Sequence, residues 1–145
     1  METQLAREIL TQCLRTRQNS RATTARFAVL DAILETQGHF DADNLYYRLT
    51  SKGVRISRAT VYNTLQLLME CGLVAKYRFA GDSSRYEKAF GKPHHHHLVC
   101  LECGEIIEFV DQKLERIQEE VCAAKQFKPQ SFTMQVFGSC VKCRK

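Results

Sequence analysis

The sequence predicts an α+β chain in two parts, a helical N-terminal domain ending in a hairpin and a smaller α+β domain. Three observations predict it. Four segments with apolar residues at helical spacing precede two short strand-like runs. Gly91-Lys92-Pro93 then interrupts the pattern. Beyond it, two C-x-x-C pairs, Cys100/Cys103 and Cys140/Cys143, bracket the remaining chain.

Each element follows from its residues. Residues 2–17 suit a helix with Leu5, Ile9, Cys13 and Leu14 on one face. Asn19 to Thr24 supply turn and capping residues, and Phe27, Leu30, Ile33 and Leu34 mark a second helix. Gln37-Gly38-His39-Phe40 breaks that helix, and Asp41 caps a third with Leu45, Tyr46 and Leu49 as its apolar stripe. Ser57 caps a fourth, Arg58–Cys71, with Val61, Leu65 and Leu68 turned inward and Gly72 as its stop. Residues 73–79 read as a strand, Gly81 to Ser84 as a turn, and Arg85–Phe90 as the returning strand. Helices closed by a hairpin make a winged helix-turn-helix. The expected division is a DNA-binding domain over 1–90, a hinge at 91–93 and a second domain over 94–145. In that second domain, strands are expected near 96–100, 105–110 and 130–137, with a helix near 111–126.

Composition limits the function classes. The chain has 145 residues, 44% of them hydrophobic and 26% charged, which suits small globular domains. No run of about 18 apolar residues is present, so no membrane-spanning helix is expected. The charged start, without an apolar signal region, points to the cytoplasm. Residues 1–80 hold 11 Lys and Arg against 7 Asp and Glu, and nine of the cations are arginine. A guanidinium can grip a phosphate through two hydrogen bonds, so this bias suits double-stranded DNA as partner.

In a helix-turn-helix the second helix enters the major groove with its N-terminal residues on the base edges. Here that stretch begins at Ser57, and Arg58, Thr60, Tyr62 and Asn63 project away from the apolar stripe. Arg can pair with guanine and Asn with adenine, while Tyr and Thr can meet a thymine methyl. Ser57 and Arg55 suit phosphates at the helix start, and Arg21 precedes the second helix.

The cysteine pairs carry the strongest metal signal. Cys100, Cys103, Cys140 and Cys143 supply four soft ligands from two knuckles 36 residues apart, the set a structural Zn²⁺ takes in a tetrahedron. Cys13, Cys71 and Cys122 fall in helical patterns and are expected as free, buried thiols. Just before the first knuckle stands His94-His95-His96-His97, inside the chain rather than at a terminus where an expression tag would sit. In an extended segment His95 and His97 share one side and His94 and His96 the other. With Glu87, Glu105 and Glu108 nearby, these form a mixed His/carboxylate set suited to Fe²⁺, Mn²⁺ or Zn²⁺. The alternative is a small zinc-dependent hydrolase using the histidines. No H-E-x-x-H or further nucleophile motif supports it, and the chain is not expected to be an enzyme.

Together these features resemble the ferric uptake regulator family. The resemblance rests on Ser57-Arg58-Ala59-Thr60-Val61-Tyr62-Asn63-Thr64-Leu65, on Gly72-Leu73-Val74, on Ser83-Ser84-Arg85-Tyr86-Glu87, and on His95-x-His97-x-x-Cys100-x-x-Cys103-Gly104. It implies a second domain that dimerises. It also implies a homodimeric repressor that binds an A/T-rich inverted repeat when metal is bound. Carried over by position, the resemblance gives a regulatory site of His39, Glu87, His95, His97 and Glu108, taking Fe²⁺ or Mn²⁺ and accepting Zn²⁺ in vitro. A further site in some members matches here at His94, His96 and Glu115, with Phe132 where a histidine is needed. Asn63 resembles the peroxide-sensing branch, while Glu87 and Glu108 resemble the iron branch, and no extra Cys or His marks the zinc-uptake branch.

Overall fold

The helices begin where the capping residues stand. In the computed structural model, which describes residues 1–17, 23–79, 84–129 and 132–144, α1 spans Glu2–Arg15 and α2 spans Thr24–Leu34. The side chain of Thr23 accepts from the Arg26 N–H at the start of α2. Asp41 does the same for Asn44 N–H (2.7 Å) at the start of α3, Ala42–Ser51. Ser57 accepts from Thr60 N–H (3.1 Å) at the start of α4, Arg58–Glu70. Such caps satisfy amide groups that the first helical turn cannot. α4 ends at Gly72, whose φ of +73° is a left-handed conformation that a side chain would disfavour. There Leu73 N–H bonds Leu68 C=O (2.9 Å) and Gly72 N–H bonds Met69 C=O (3.0 Å), the paired closure of a Schellman end.

The chain divides into two compact units, Met1–Lys92 and Pro93–Lys145. In the first, α1 to α4 enclose a core of leucine, isoleucine, valine and alanine, including Leu10, Leu30, Ile33, Leu45, Leu65 and Leu68. Its sheet has the order β1-β3-β2, made from His39–Phe40, Ser84–Lys88 and Val74–Arg78 respectively. The β2–β3 hairpin is the expected wing, though its tip at 80–83 lies outside the described residues. β1 was not expected. The segment read as a helix break is a two-residue strand, antiparallel to β3 with His39 opposite Glu87 and Phe40 opposite Tyr86.

The cysteine reading needs a correction in this unit. Cys13 and Cys71, expected as free thiols, are joined as a disulfide with Cα atoms 6.0 Å apart. Cys13 lies in the last turn of α1 and Cys71 is the C-cap of α4, so the fold brings together two positions 58 residues apart. Cys122 is a free, half-buried thiol, as are Cys140 and Cys143.

The second unit holds β4 (His96–Cys100), β5 (Ile106–Phe109), α5 (Gln112–Ala124) and β6 (Gln135–Gly138). β4 is the central strand, antiparallel to β5 and parallel to β6. The strand expected near 130–137 begins only at Gln135, and residues 130–131 are outside the described set. Asp111 caps α5 by accepting from Lys113 N–H (2.8 Å). No residue of α5 is buried. Among the described residues, no helix is long and apolar enough to cross a membrane.

Candidate functional site

Two turns bring the four cysteines together. At the first, Gly104 N–H returns to Cys100 C=O (3.0 Å), and Gly104 takes φ of +74°. At the second, Cys143 and Arg144 N–H groups both bond Cys140 C=O (3.0 and 2.9 Å). β4 and β6 run parallel with Cys100 opposite Gly138, so the two turns emerge at the same end of the sheet. The four sulfurs all lie within 4.8 Å of one another, with Cys103 and Cys140 3.7 Å apart. Backbone N–H groups of Cys103 and Cys140 aimed at Cys100 lower its thiol pKa to about 6. Cys143 is pushed above its usual value, first by its contacts with the Cys140 and Cys103 sulfurs. Four clustered sulfurs resist carrying four negative charges unless a cation shares them. The donor set, its convergence and the polarised Cys100 fit a tetrahedral zinc ion.

The histidines alternate as an extended strand requires. The His95 and His97 rings lie together with centroids 5.0 Å apart, and the His94 and His96 rings do likewise at 5.0 Å. His97 faces Glu108 across the β4–β5 ladder. His95 Nδ1 is 2.9 Å from Pro93 C=O, and its Nε2 is 3.8 Å from Glu108. A carbonyl can only accept, so Nδ1 is the donor there and Nε2 is the ring nitrogen turned toward Glu108. A histidine that binds metal through one ring nitrogen commonly donates from the other to a backbone carbonyl in this way. In the first unit, His39 Nε2 stands 3.3 Å from Glu87, and Lys92 Nζ stands 3.4 Å from the same carboxylate. Glu87 is fully buried, and the Phe79 ring meets His39 edge-on at 5.3 Å. β1 is therefore the element that delivers His39 to Glu87.

The other histidine pair is arranged differently. His94, His96 and Glu115 do gather within 4.8 Å of one another. Yet Met134 N–H donates to His96 Nδ1 (3.1 Å), which forces the proton of the neutral ring onto Nε2. That proton is given to Glu115 at 3.1 Å. While both bonds hold, His96 offers no lone pair to a metal. Phe132 packs on the two rings, at 6.1 Å from His94 and 5.0 Å from His96. The trio is satisfied as a hydrogen-bonded and aromatic cluster.

On α4, Val61, Thr64, Leu65, Leu67 and Leu68 are buried, while Tyr62 and Asn63 are exposed. Ser57 is committed to the cap and also meets the Thr60 hydroxyl at 2.9 Å. Arg58 does not project freely. Its guanidinium pairs with Asp43, donates to the Tyr47 hydroxyl (2.7 Å), and lies over the Tyr46 and Tyr47 rings at 4.7 and 5.0 Å. These α3 partners were missed by sequence reasoning. The available signal was the spacing of Asp43, Tyr46 and Tyr47 on one side of a helix. Arg21 lies outside the described residues.

These arrangements define a class: a winged-helix protein whose second unit is closed by a zinc-type cysteine cluster and carries a run of paired histidines beside carboxylates. The family model of the ferric uptake regulator family matches residues 17–137. The ferric uptake regulation protein of Shigella flexneri is 35% identical over 127 residues, covering 86% of this chain and 85% of that protein. The ferric uptake regulator of Helicobacter pylori, whose structure revealed three functional metal-binding sites, superposes with a TM-score of 0.82. It is 27% identical and covers 99% of this chain and 94% of that one. The Pseudomonas aeruginosa regulator with manganese gives a TM-score of 0.75 at 26% identity, covering 97% of this chain and 98% of that one. The chain belongs to the ferric uptake regulator family, a family of metal-responsive transcriptional regulators. Its members are regulators rather than enzymes, which removes the ground for the hydrolytic alternative.

Proposed function

We propose that this protein is a homodimeric, metal-activated transcriptional repressor acting on an A/T-rich inverted repeat, in iron homeostasis or the peroxide response. Cys100, Cys103, Cys140 and Cys143 hold a structural zinc ion. His39 and Glu87 from the first unit, with His95, His97 and Glu108 from the second, hold one regulatory Fe²⁺ or Mn²⁺. Ligands drawn from both units make metal binding depend on how the units are arranged, and a metal that prefers one arrangement shifts the population toward it. The exposed Tyr62 and Asn63 read bases in the major groove, with Thr60 beside them and Ser57 setting the helix start. Arg21 and Arg58 complete the DNA-facing set, and Arg58 exchanges Asp43 for a phosphate or stays as the tie between α3 and α4.

The observation that carries this reading is the placement of His95, with Nδ1 2.9 Å from Pro93 C=O and Nε2 turned toward Glu108 at 3.8 Å. That geometry suits a metal ligand with its second hydrogen bond already in place. Fluorescence anisotropy with a labelled A/T-rich palindrome tests the reading. Mn²⁺ should tighten binding by about tenfold or more, a coupling of typical allosteric size. Equal affinity with Mn²⁺ and with a chelator, in protein that keeps its zinc, would refute the metal switch.

A further inference from the structure

We propose that Cys13 and Cys71 are a reversible modification site, a dithiol/disulfide pair set by the surrounding thiol pool. Its oxidised form staples α1 to the foot of α4. The inference does not rest on the metal-sensing reading above.

Four observations lead to it. First, the bond joins α1 to the end of α4. Cys13 is in the last turn of α1, and Cys71 is the C-cap of the helix that exposes Tyr62 and Asn63. Second, both residues are half-buried, so an exchanging thiol can approach them. Third, the first unit does not need the bond in order to fold. Ala6, Leu10 and Leu14 of α1 are already buried in a core shared with α2, α3 and α4. Disulfides are indispensable mainly where such a core is lacking. Fourth, the same chain carries four free cysteines gathered as a metal cluster, and that chemistry works only with reduced sulfur. A protein built to keep those thiols reduced meets a thiol pool, and the state of Cys13–Cys71 then follows the poise of that pool.

The local structure favours reclosure. When the bond opens, the Arg17–Glu70 ion pair still spans the same junction, and Leu10 and Leu14 stay docked. The thiols thus remain near one another, which raises their effective concentration for intramolecular exchange. The backbone bonds at the foot of α4, Cys71 N–H to Leu67 C=O (3.0 Å) and Leu73 N–H to Leu68 C=O (2.9 Å), do not depend on the disulfide.

The oxidant class is a low-molecular-weight disulfide, such as glutathione disulfide. One protein thiolate attacks it, forming a mixed disulfide and expelling one glutathione thiolate. The second protein thiolate then attacks the protein sulfur of that mixed disulfide and expels the other glutathione. The two protein thiols lose two protons and two electrons, and one glutathione disulfide becomes two glutathione molecules. Reduction is the reverse exchange. The consequence is mechanical: α1 is anchored by three buried residues, Ala6, Leu10 and Leu14, and the staple suppresses its local opening.

The test equilibrates zinc-loaded, full-length protein in glutathione buffers from strongly reducing to strongly oxidising. Samples are quenched with acid, alkylated and read by peptide mass. Cys13 and Cys71 should switch together, as one two-electron couple, within the range these buffers span. Hydrogen exchange on the same samples should show α1 amides slowed by about tenfold or more in the oxidised form. The first-unit melting temperature should rise by on the order of 10 °C on oxidation. Cys13→Ser and Cys71→Ser should each abolish both effects while keeping the melting temperature of the reduced wild type. Three results would overturn the proposal: thiols that stay reduced in every buffer, a bond that persists in the most reducing one, or α1 exchange indifferent to the state of the pair.

Discussion

In the first unit Leu10, Leu30, Ile33, Leu45, Leu65 and Leu68 are each at most 1% exposed. In the second, Ile117 and Val121 are 56% exposed, Phe127 67% and Val141 72%. The contrast lies in packing, because both sequences contain enough apolar residues. α1 to α4 wrap one another, so their stripes meet. α5 buries none of its residues, and among the described residues Val99 and Cys100 are the buried apolar ones of that unit. A unit so short of core needs other support. The cysteine cluster supplies one kind, and a second copy laid over the apolar face would supply another. Covering the exposed part of each such Ile, Val or Phe side chain contributes on the order of 1 kcal/mol. On the proposed function this is a division: the first unit stands on its own core, and the second stands on zinc and a partner.

The largest expected effect that sharpens this division is Cys140→Ser. It should leave a folded first unit and a disordered second one, with monomer in place of dimer by sedimentation velocity. Lowering the pH should act in the same direction. The thiols must lose protons to bind zinc, so protons compete with the metal for all four sulfurs. Zinc retention, followed with a chromogenic chelator, should thus hold at neutral pH and fall cooperatively as the solution is acidified.

Next come paired substitutions in the two units. Leu68→Ala should cost the first unit about 2–5 kcal/mol, seen as a lower denaturant midpoint. Val121→Asp should cost the isolated fold little and instead shift the monomer–dimer equilibrium. If the two exchanged roles, the comparison would be reversed. Glu108→Ala should be milder, leaving a zinc-loaded dimer whose DNA affinity no longer responds to Mn²⁺ in the anisotropy assay. The smallest effect concerns Arg58. Its pair with Asp43 is half-exposed and screened by water, so Arg58→Ala should change stability only slightly. The salt dependence of DNA binding separates its two roles. If Arg58 grips a phosphate, the substitution lowers the slope of log K against log salt by about one. If it serves only to tie α3 to α4, the slope stays unchanged.

Much of this was legible in the sequence, for physical reasons that differ by region. The α4 boundaries were readable because Ser57 and Gly72 act locally, through a cap and a left-handed turn. The cysteine pairs were readable because knuckle spacing is set by the metal's own geometry. The histidine alternation followed from the two-residue period of a strand. β1 was hidden, because His39 and Phe40 are too few to show any period and pair only with a distant strand. His39 was reached through resemblance alone. The Cys13–Cys71 bond and the grip of Asp43 and Tyr47 on Arg58 were also hidden. Both depend on which helices pack together, and an apolar stripe says only that a helix packs.

Hydrogen exchange of the full-length protein, with and without a zinc chelator, tests the division most directly. The account predicts that amides of α2 and α4, around Leu30, Leu65 and Leu68, keep their protection after zinc is removed. Those of β4, β5, β6 and α5 should lose theirs together. Protection that survives in the second unit without zinc, or collapses in both units at once, would contradict it.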